Sequence, residues 1–366
     1  TEGKCKFGDA YADGFVAADG AGVLILRRRS DALRDGNRIW ATIRSAVVTN
    51  DGARGGSATA PSTDAHVELL ARALNAAKLN PNDVDFIEAH GPGAPLIDRM
   101  ELEAINTVFG THPDRTRPLF VSSGKSVFGH SEAAAGVTSL VRTILSLESR
   151  VALPSNHIRQ LHRSIDWSQT QLKIPREPVA LKSTGPLIAG VSAQGISSVN
   201  AHVILENWEP TSRPADSLLS PPCLVASAPT RSALRATIIS FQQRITESVG
   251  TAIELNDVIW TALLGREIFN CRVAFLADTQ TQLLSLIQTW LAESESEPTH
   301  QSIVATYADE ILGGRLNAAR AFVEDGDAEP LIKITTPGRI VSAPGYNWRR
   351  SRHWIPGSRL QAASGT

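Results

Sequence analysis

His90, Lys125 and His130 are the residues of this chain whose types and setting could do chemistry. His90 ends an apolar, β-branched run, Val84 to Ala89, and Gly91, Gly93 and Pro95 follow it. Its ring is therefore expected to project from a strand's carboxyl end into a tight loop. His130 follows Gly129 and opens a run of small residues. Ligands of α/β sheets collect outside the carboxyl ends of the strands. Two imidazoles gathered there could stabilise a developing oxyanion or carry protons. Lys125 adds a positive charge five residues before His130 and could pair with Glu132. Single histidines are more often satisfied structural groups than reactive ones, and spacing by itself leaves both readings open.

The hydrophobic pattern shows the elements that must position these groups. Gly14 to Arg27 predicts a hairpin turning near Asp19-Gly20, and Ile39 to Val48 predicts a strand. Ser62 to Leu79 predicts a helix, because Val67, Leu70, Leu74 and Ala77 recur at helical spacing and Ser62 or Thr63 can cap it. The strand Val84 to Ala89 runs into His90, and a helix from Glu101 to Phe109 stops at Gly110. A strand from Pro118 to Ser122 passes through the loop Ser123 to Gly129 into a helix, Glu132 to Leu147. Strands Ile188 to Ser192 and Ala201 to Leu205 bracket a polar loop. Strand, loop and helix in alternation predict a layered α/β fold.

After Glu206, Pro210, Pro214, Pro221 and Pro222 mark a linker. A second unit follows, with strands at Leu224 to Ala226 and Cys271 to Ala277 and helices at Arg231 to Thr246, Leu255 to Leu264 and Thr281 to Ala292. An acidic linker, Glu293 to Pro298, leads to a tail bearing Tyr346, Trp348 and Trp354.

Composition narrows the classes. The 366 residues predict two or three domains, and 42% hydrophobic with 20% charged residues fits a globular chain. Lys and Arg number 36 against 37 Asp and Glu, a net charge of −1 that argues against nucleic acid as a partner. No apolar run approaches the roughly 18 residues of a membrane span, and Thr1 to Lys6 is no signal peptide. Cys5, Cys223 and Cys271 stand far apart with no C-x-x-C spacing. Neither a disulfide framework nor a metal site is expected, and a reducing, cytoplasmic setting fits.

Five motifs change the weight of the histidines. Glu88 to Asp98 (EAHGPGAPLID) resembles the EAHGTGTPLGD loop of polyketide-synthase ketosynthases. Gly124 to Val137 is similar to their VKSNIGHLEAAAGV segment. Gly190-Val191-Ser192 with Asn200 to Leu205 looks like their terminal GVSSFGFGGTNAHVIL. Cys5 to Val16 resembles CRPFDARADGFV, and Asn50-Asp51-Gly52 the N-x-DG turn. The match is ordered and covers about residues 1 to 208.

The resemblance implies the C-terminal half of a thiolase-like layered α/β fold over residues 1–208 and a small α+β linker domain over 209–296. A connector over 297–337 stands where an acyltransferase would lie, and a wrap-around tail over 338–358 ends the pattern. No GHSxG elbow occurs in the connector, an arrangement that resembles assembly lines whose acyltransferase acts in trans.

The family's reaction is decarboxylative condensation of an acyl thioester with an extender unit carried by an acyl carrier protein. Residue by residue, His90 and His130 match the two family histidines and Lys125 the motif lysine. The phosphopantetheine arm of the carrier protein is the implied ligand, and no other cofactor is expected. The arm side of the site falls on Pro92, Ala94, Ile196 and Asn200. Pro92 and Ala94 replace two threonines, and Ile196 replaces the gating phenylalanine. His202 matches a structural position, and Cys5 a cysteine that is not the nucleophile.

The family's reactive cysteine precedes the first of these motifs. The expected partners are therefore an N-terminal ketosynthase half, in the same or a separate chain, and a carrier protein, with dimerisation only of the completed enzyme. The competing expectation is a decommissioned ketosynthase that serves as a scaffold or as a docking module for carrier proteins.

Overall fold

A computed structural model describes residues 2–54, 62–183, 185–195, 197–209, 223–248, 252–292, 301–305, 313–335, 337, 338, 341 and 344. The chain divides into two compact units, residues 1–32 with 39–211, and residues 33–38 with 212–366.

The first unit is built on a mixed sheet. Its strands are β1 (Ala41–Asn50), β2 (Phe86–Glu88), β3 (Leu119–Ser122), β5 (Leu172–Lys173), β7 (Ile188–Gln194) and β8 (Val199–Asn207), while β4 (Val151–Ala152) and β6 (Val179–Ala180) form a separate pair. The order across the sheet is β1-β8-β7-β2-β3-β5. β1, β8 and β7 run antiparallel to their neighbours, and β7, β2, β3 and β5 run parallel. β2, β3 and β7 are buried along most of their length, as strands covered on both faces are.

Helices α1 (Arg29–Arg34), α2 (Thr63–Ala77), α3 (Pro95–Ile105), α4 (Lys125–Phe128) and α5 (Ala135–Ser149) accompany the strands. Leu70, Ala73 and Leu74 of α2 and Leu102 and Ile105 of α3 pack with Ile87, Ile188 and Ile204 on one face. Leu140, Ile144 and Leu147 of α5 pack with Phe86, Ala189, Val191 and Leu205 on the other. Ser62 caps α2 through its hydroxyl, as its type predicts. α3 begins at Pro95, six residues earlier than the apolar spacing indicates, because proline is preorganised for a helix's first turn.

The expected hairpin from Gly14 to Arg27 does not form. Ala17 makes an isolated parallel bridge to His130, and the rest of the stretch runs without strand pairing. Gly20 lies against Ser131 and Gly22 against Val137, so the stretch lies along the start of α5 instead of folding onto itself. Val23, Ile25 and Leu26 are left 88%, 93% and 73% exposed.

The second unit has a three-stranded sheet, β9 (Cys223–Ala228), β10 (Cys271–Leu276) and β11 (Gln301–Ala305), in the order β11-β10-β9. Helices α6 (Arg231–Ser248), α7 (Ala252–Leu264) and α8 (Gln280–Ala292) supply one core with Phe241, Ile259, Phe275 and Trp290. The stretch expected to be a connector, 297–337, belongs to this unit among its described residues. β11 pairs in parallel with β10, and α9 (Gly313–Arg320) and α10 (Glu329–Ile334) follow it. Ala318, Ala319, Phe322, Val323 and Leu331 bury against Val225, Ala274 and Leu276, which is why the segment folds back. The Trp-rich tail beyond residue 344 lies outside the described residues.

Candidate active site

The carboxyl end of β2 leads into a loop whose backbone is held from three sides. The His90 and Gly91 N–H groups each donate to Glu101 of α3, at 2.8 and 2.8 Å. The Gly93 N–H donates to Asp98 at 3.0 Å. From below, Gly93 lies at φ +89°, where a Cβ would meet the Lys6 nitrogen at 2.5 Å, and Gly91 packs against Phe7 and Ser123. No side chain fits at either glycine, so the loop is bound to the segment around Cys5 to Phe7.

Lys125, buried at the start of α4, donates from its ammonium to the His90 carbonyl at 2.5 Å. The expected pairing with Glu132 is replaced by this bond, because Lys125 points into the protein while Glu132 is exposed at φ +45°. Burial lowers the Lys125 ammonium against the opposing pull of Glu88 and Glu101. Glu88, wholly buried, accepts from the Gly124 N–H at 2.7 Å and pairs with Arg142 of α5. Burial, and then Glu101 beside it, hold Asp98 well above the usual carboxylate range.

His130 is fixed through its backbone. Its N–H donates to the Val16 carbonyl at 2.7 Å, and its carbonyl accepts from the Ala18 N–H at 2.9 Å. Phe15 places its ring 5.0 Å from the imidazole.

The two rings meet edge to face, with centroids 5.4 Å apart and planes at 78°. The Gln194 N–H donates to His90 Nδ1 at 3.4 Å, and the Glu132 N–H donates to His130 Nδ1 at 2.9 Å. These two bonds assign the proton of each neutral ring to Nε2. Burial, and then the charge of Lys125, lower His90 well below the usual imidazole value and His130 to about 4. At neutral pH both rings are thus uncharged Nε2–H donors and weak bases. That combination suits stabilising a developing oxyanion better than removing a proton.

Three of the four arm-side candidates, Pro92, Ala94 and Asn200, are among the described residues. Pro92 is buried in the loop, and Ala94 is the residue before α3, with no side-chain cap. Asn200 is buried in β8 and donates to Asp51 Oδ1 at 2.6 Å, a bond that ties β8 to the turn after β1. His202 bonds Ser192 at 2.9 Å, and burial holds it at about 3. Ile196 lies outside the described residues.

All three cysteines are buried, and burial raises each thiol, Cys223 to about 12. Cys5 accepts the Val16 N–H at 3.3 Å. Among the described residues no group of His, Cys, Asp or Glu could hold a metal, and no helix is long and apolar enough to cross a membrane.

Sequence reasoning missed Glu101, Arg142 and Gln194, which hold the pair in place. Only Glu101 carries a signal, as a carboxylate on the inner face of the helix that follows the His90 loop.

Comparison with known proteins agrees with the motifs. Residues 40–159 match the model of the beta-ketoacyl synthase C-terminal domain, residues 162–266 the ketoacyl-synthetase C-terminal extension, and residues 1–32 the beta-ketoacyl synthase N-terminal domain. The spectinabilin polyketide synthase system protein NorA' of Streptomyces orinoci is 37% identical over 289 residues, 78% of this chain and 8% of that protein. The oxazolomycin ketosynthase domain of Streptomyces albus superimposes with a TM-score of 0.79 at 29% identity, over 97% of this chain and 61% of that one. The ketosynthase from module 6 of the bacillaene synthase of Bacillus subtilis does so with a TM-score of 0.77 at 27% identity, over 97% and 66%. The chain thus spans under a tenth of its curated relative and about two thirds of these solved ketosynthases. It is homologous to the ketosynthases of polyketide synthases, of thiolase-like fold, and carries the β-ketoacyl synthase C-terminal domain with its C-terminal extension.

Proposed function

We propose that this chain supplies the histidine side of a ketosynthase site that performs decarboxylative Claisen condensation in polyketide assembly. The observation that carries this reading is the His90–His130 pair, 5.4 Å apart, with each ring's proton directed to Nε2 by a backbone N–H on Nδ1. In the reaction a cysteine of an N-terminal ketosynthase half, in the same or a separate chain, holds the acyl chain as a thioester. The extender unit arrives on the phosphopantetheine arm of an acyl carrier protein, loaded by an acyltransferase acting in trans.

Loss of CO2 breaks the bond between the carboxyl and α carbons and leaves its electron pair as a thioester enolate. The enolate oxygen takes hydrogen bonds from the two Nε2–H groups. The α carbon then attacks the acyl thioester, a carbon–carbon bond forms, and the cysteine thiolate leaves. Lys125 holds the His90 carbonyl, and burial together with the charge of Lys125 keeps both rings uncharged. No resident cofactor enters this scheme. The working state is a completed, dimeric enzyme in the cytoplasm.

The test completes the chain with an N-terminal half and measures CO2 release from an extender-loaded carrier. His90→Ala and His130→Ala should each lower the rate about 10²–10³-fold, the usual loss of an oxyanion donor. Without the added half, intact mass should show no acyl adduct on Cys5, Cys223 or Cys271. An unchanged rate in either variant refutes the reading.

One observation favours a second reading, a non-catalytic scaffold that docks carrier proteins: neither Pro92 nor Ala94 offers a hydroxyl where the family holds the arm. Carrier binding by the completed protein without any condensation product would establish it.

A further inference from the structure

Apart from the histidine pair, the first unit holds a cleft of about 330 Å³ that the proposed reaction does not use. Lys4 and Lys6 line it from the start of the chain, Arg159 from the stretch after β4, and Arg176 from the turn after β5. Glu2 is the one carboxylate among the lining residues. The whole chain carries a net charge of −1, so this excess of cations is local. A concave surface lined by one sign of charge focuses its field and concentrates counter-ions.

The cations are of two kinds. Lys6 is buried, and Asp13 fixes its ammonium at 3.1 Å. The same ammonium lies 3.2 Å from Glu2 Oε2, which also accepts from Arg159 at 3.0 Å. Two cations far apart in sequence thus converge on a single oxyanion oxygen, and the partly exposed Glu2 carboxylate supplies it. Lys4 and Arg176 are exposed, and neither forms an ion pair or side-chain hydrogen bond among the described residues. Between them His157 stands at φ +67°, a conformation that residues other than glycine rarely adopt and that gathers at ligand sites.

We propose that this cleft binds the phosphoryl group of a small phosphate ester, with Glu2 standing in for one of its oxygens. A dianionic group with three acceptor oxygens matches several Lys and Arg donors better than one carboxylate does. The volume is that of a small-molecule site, about 300–1,000 Å³, and so leaves room for the body of an ester. Ser155 and Asn156 add polar wall and tie the cleft to the loop before α4. The Ser123 N–H donates to Ser155 Oγ at 2.9 Å, and the Asn156 N–H donates to Ser126 Oγ at 3.0 Å. The inference goes beyond the ketosynthase reading and stands without it, because its test reads binding and not turnover.

The test is calorimetric titration of the chain at low salt with inorganic phosphate and with 4′-phosphopantetheine. Saturable binding to one site is expected. Glu2→Gln removes the competing carboxylate and should tighten phosphate binding about two- to fivefold, the worth of one partly exposed charge contact. Lys4→Gln/Arg176→Gln removes two such contacts and should weaken it about 4–25-fold. Lys78→Gln changes an exposed cation at the end of α2, outside the cleft, and should leave the affinity unchanged. All of these side chains except Glu2 in its bonds to Lys6 and Arg159 are exposed and unbonded, so the folded chain is available for each measurement. Tighter binding of 4′-phosphopantetheine than of phosphate supports an ester as the ligand, and equal affinity supports recognition of the phosphoryl group alone. Absence of saturable binding, a Glu2→Gln affinity no higher than the parent's, or a Lys78→Gln loss equal to that of the double variant overturns the inference.

Discussion

Arg142→Met removes one partner of the buried pair behind the His90 loop. The Glu88 side chain is 0% exposed and that of Arg142 8%, so neither charge has water to fall back on. Breaking a pair of this kind costs roughly 3–5 kcal/mol, because it strands the other charge. Arg142 also donates to Ser122 Oγ at 3.0 Å and to the Pro154 carbonyl at 2.9 Å. These losses, roughly 0.5–1.5 kcal/mol each, place the expected cost at the upper end of that range. For a unit of this size roughly 2–4 °C accompany each kcal/mol, so a cost of about 5 kcal/mol should lower the melting temperature by about 10–20 °C.

The loss should also depend on pH. Burial already raises Glu88 above its usual value, and without Arg142 it rises further. A carboxylate raised on folding penalises the folded state above its unfolded pKa and relieves it as pH falls. The variant should therefore be weaker against its parent at pH 8 than at pH 5. Urea unfolding by circular dichroism, with the slope held common, measures both effects. The double variant Glu88→Gln/Arg142→Met should recover part of the loss. A loss under about 1 kcal/mol at pH 8 would refute the reasoning, since breaking a buried pair costs several times that. A double variant no better than the single one would refute it too.

Ala94→Thr places a hydroxyl at the uncapped start of α3 and should stabilise the chain by about 0.5–2 kcal/mol in calorimetry; a lower melting temperature contradicts this. Gly190→Ala puts a Cβ 2.6 Å from His202 Nε2 and 3.4 Å from Ile87, so it should destabilise by about 1–3 kcal/mol in urea titration. His202 is held at about 3 in the fold, so its contribution is whole above the unfolded value of 6.5 and is lost as pH falls from there towards 3. The wild type should lose stability against His202→Gln across that window by up to about 1.4 kcal/mol per pH unit, read from paired unfolding curves; parallel curves exclude it.

The sequence showed the two histidines and the lysine because each stands in a motif at the end of an apolar run, and the two rings meet in the fold. It did not show what holds them. Arg142 sits mid-helix as an ordinary cation, and Gln194 acts through its backbone N–H, which no side-chain pattern encodes. The Gly14 to Arg27 hairpin failed because apolar alternation signals an extended chain without saying what the chain lies on. Here that is α5 rather than a second strand. Within 297–337, Phe322 and Leu331 join the core of the second unit across long sequence distances, which local pattern does not encode. Asn200, inside one of the motifs, bonds the turn after β1, a contact that the motif itself does not reveal.

The stretch that lies along α5 also governs how the chain behaves in a test tube. Val23, Ile25 and Leu26 together expose three branched aliphatic side chains on backbone that pairs with no strand. Covering each is worth roughly 1.5–3 kcal/mol, which over three residues multiplies an association constant by about 10³–10⁶ before ordering costs. Such a ribbon raises the tendency to self-associate with concentration, and it makes salts that strengthen apolar burial into precipitants. Light scattering of the chain against Val23→Lys/Ile25→Glu would report this stickiness directly. The practical consequence is that dilute, low-salt handling suits the native sequence, with charged replacements in the ribbon as the remedy where higher concentrations are needed.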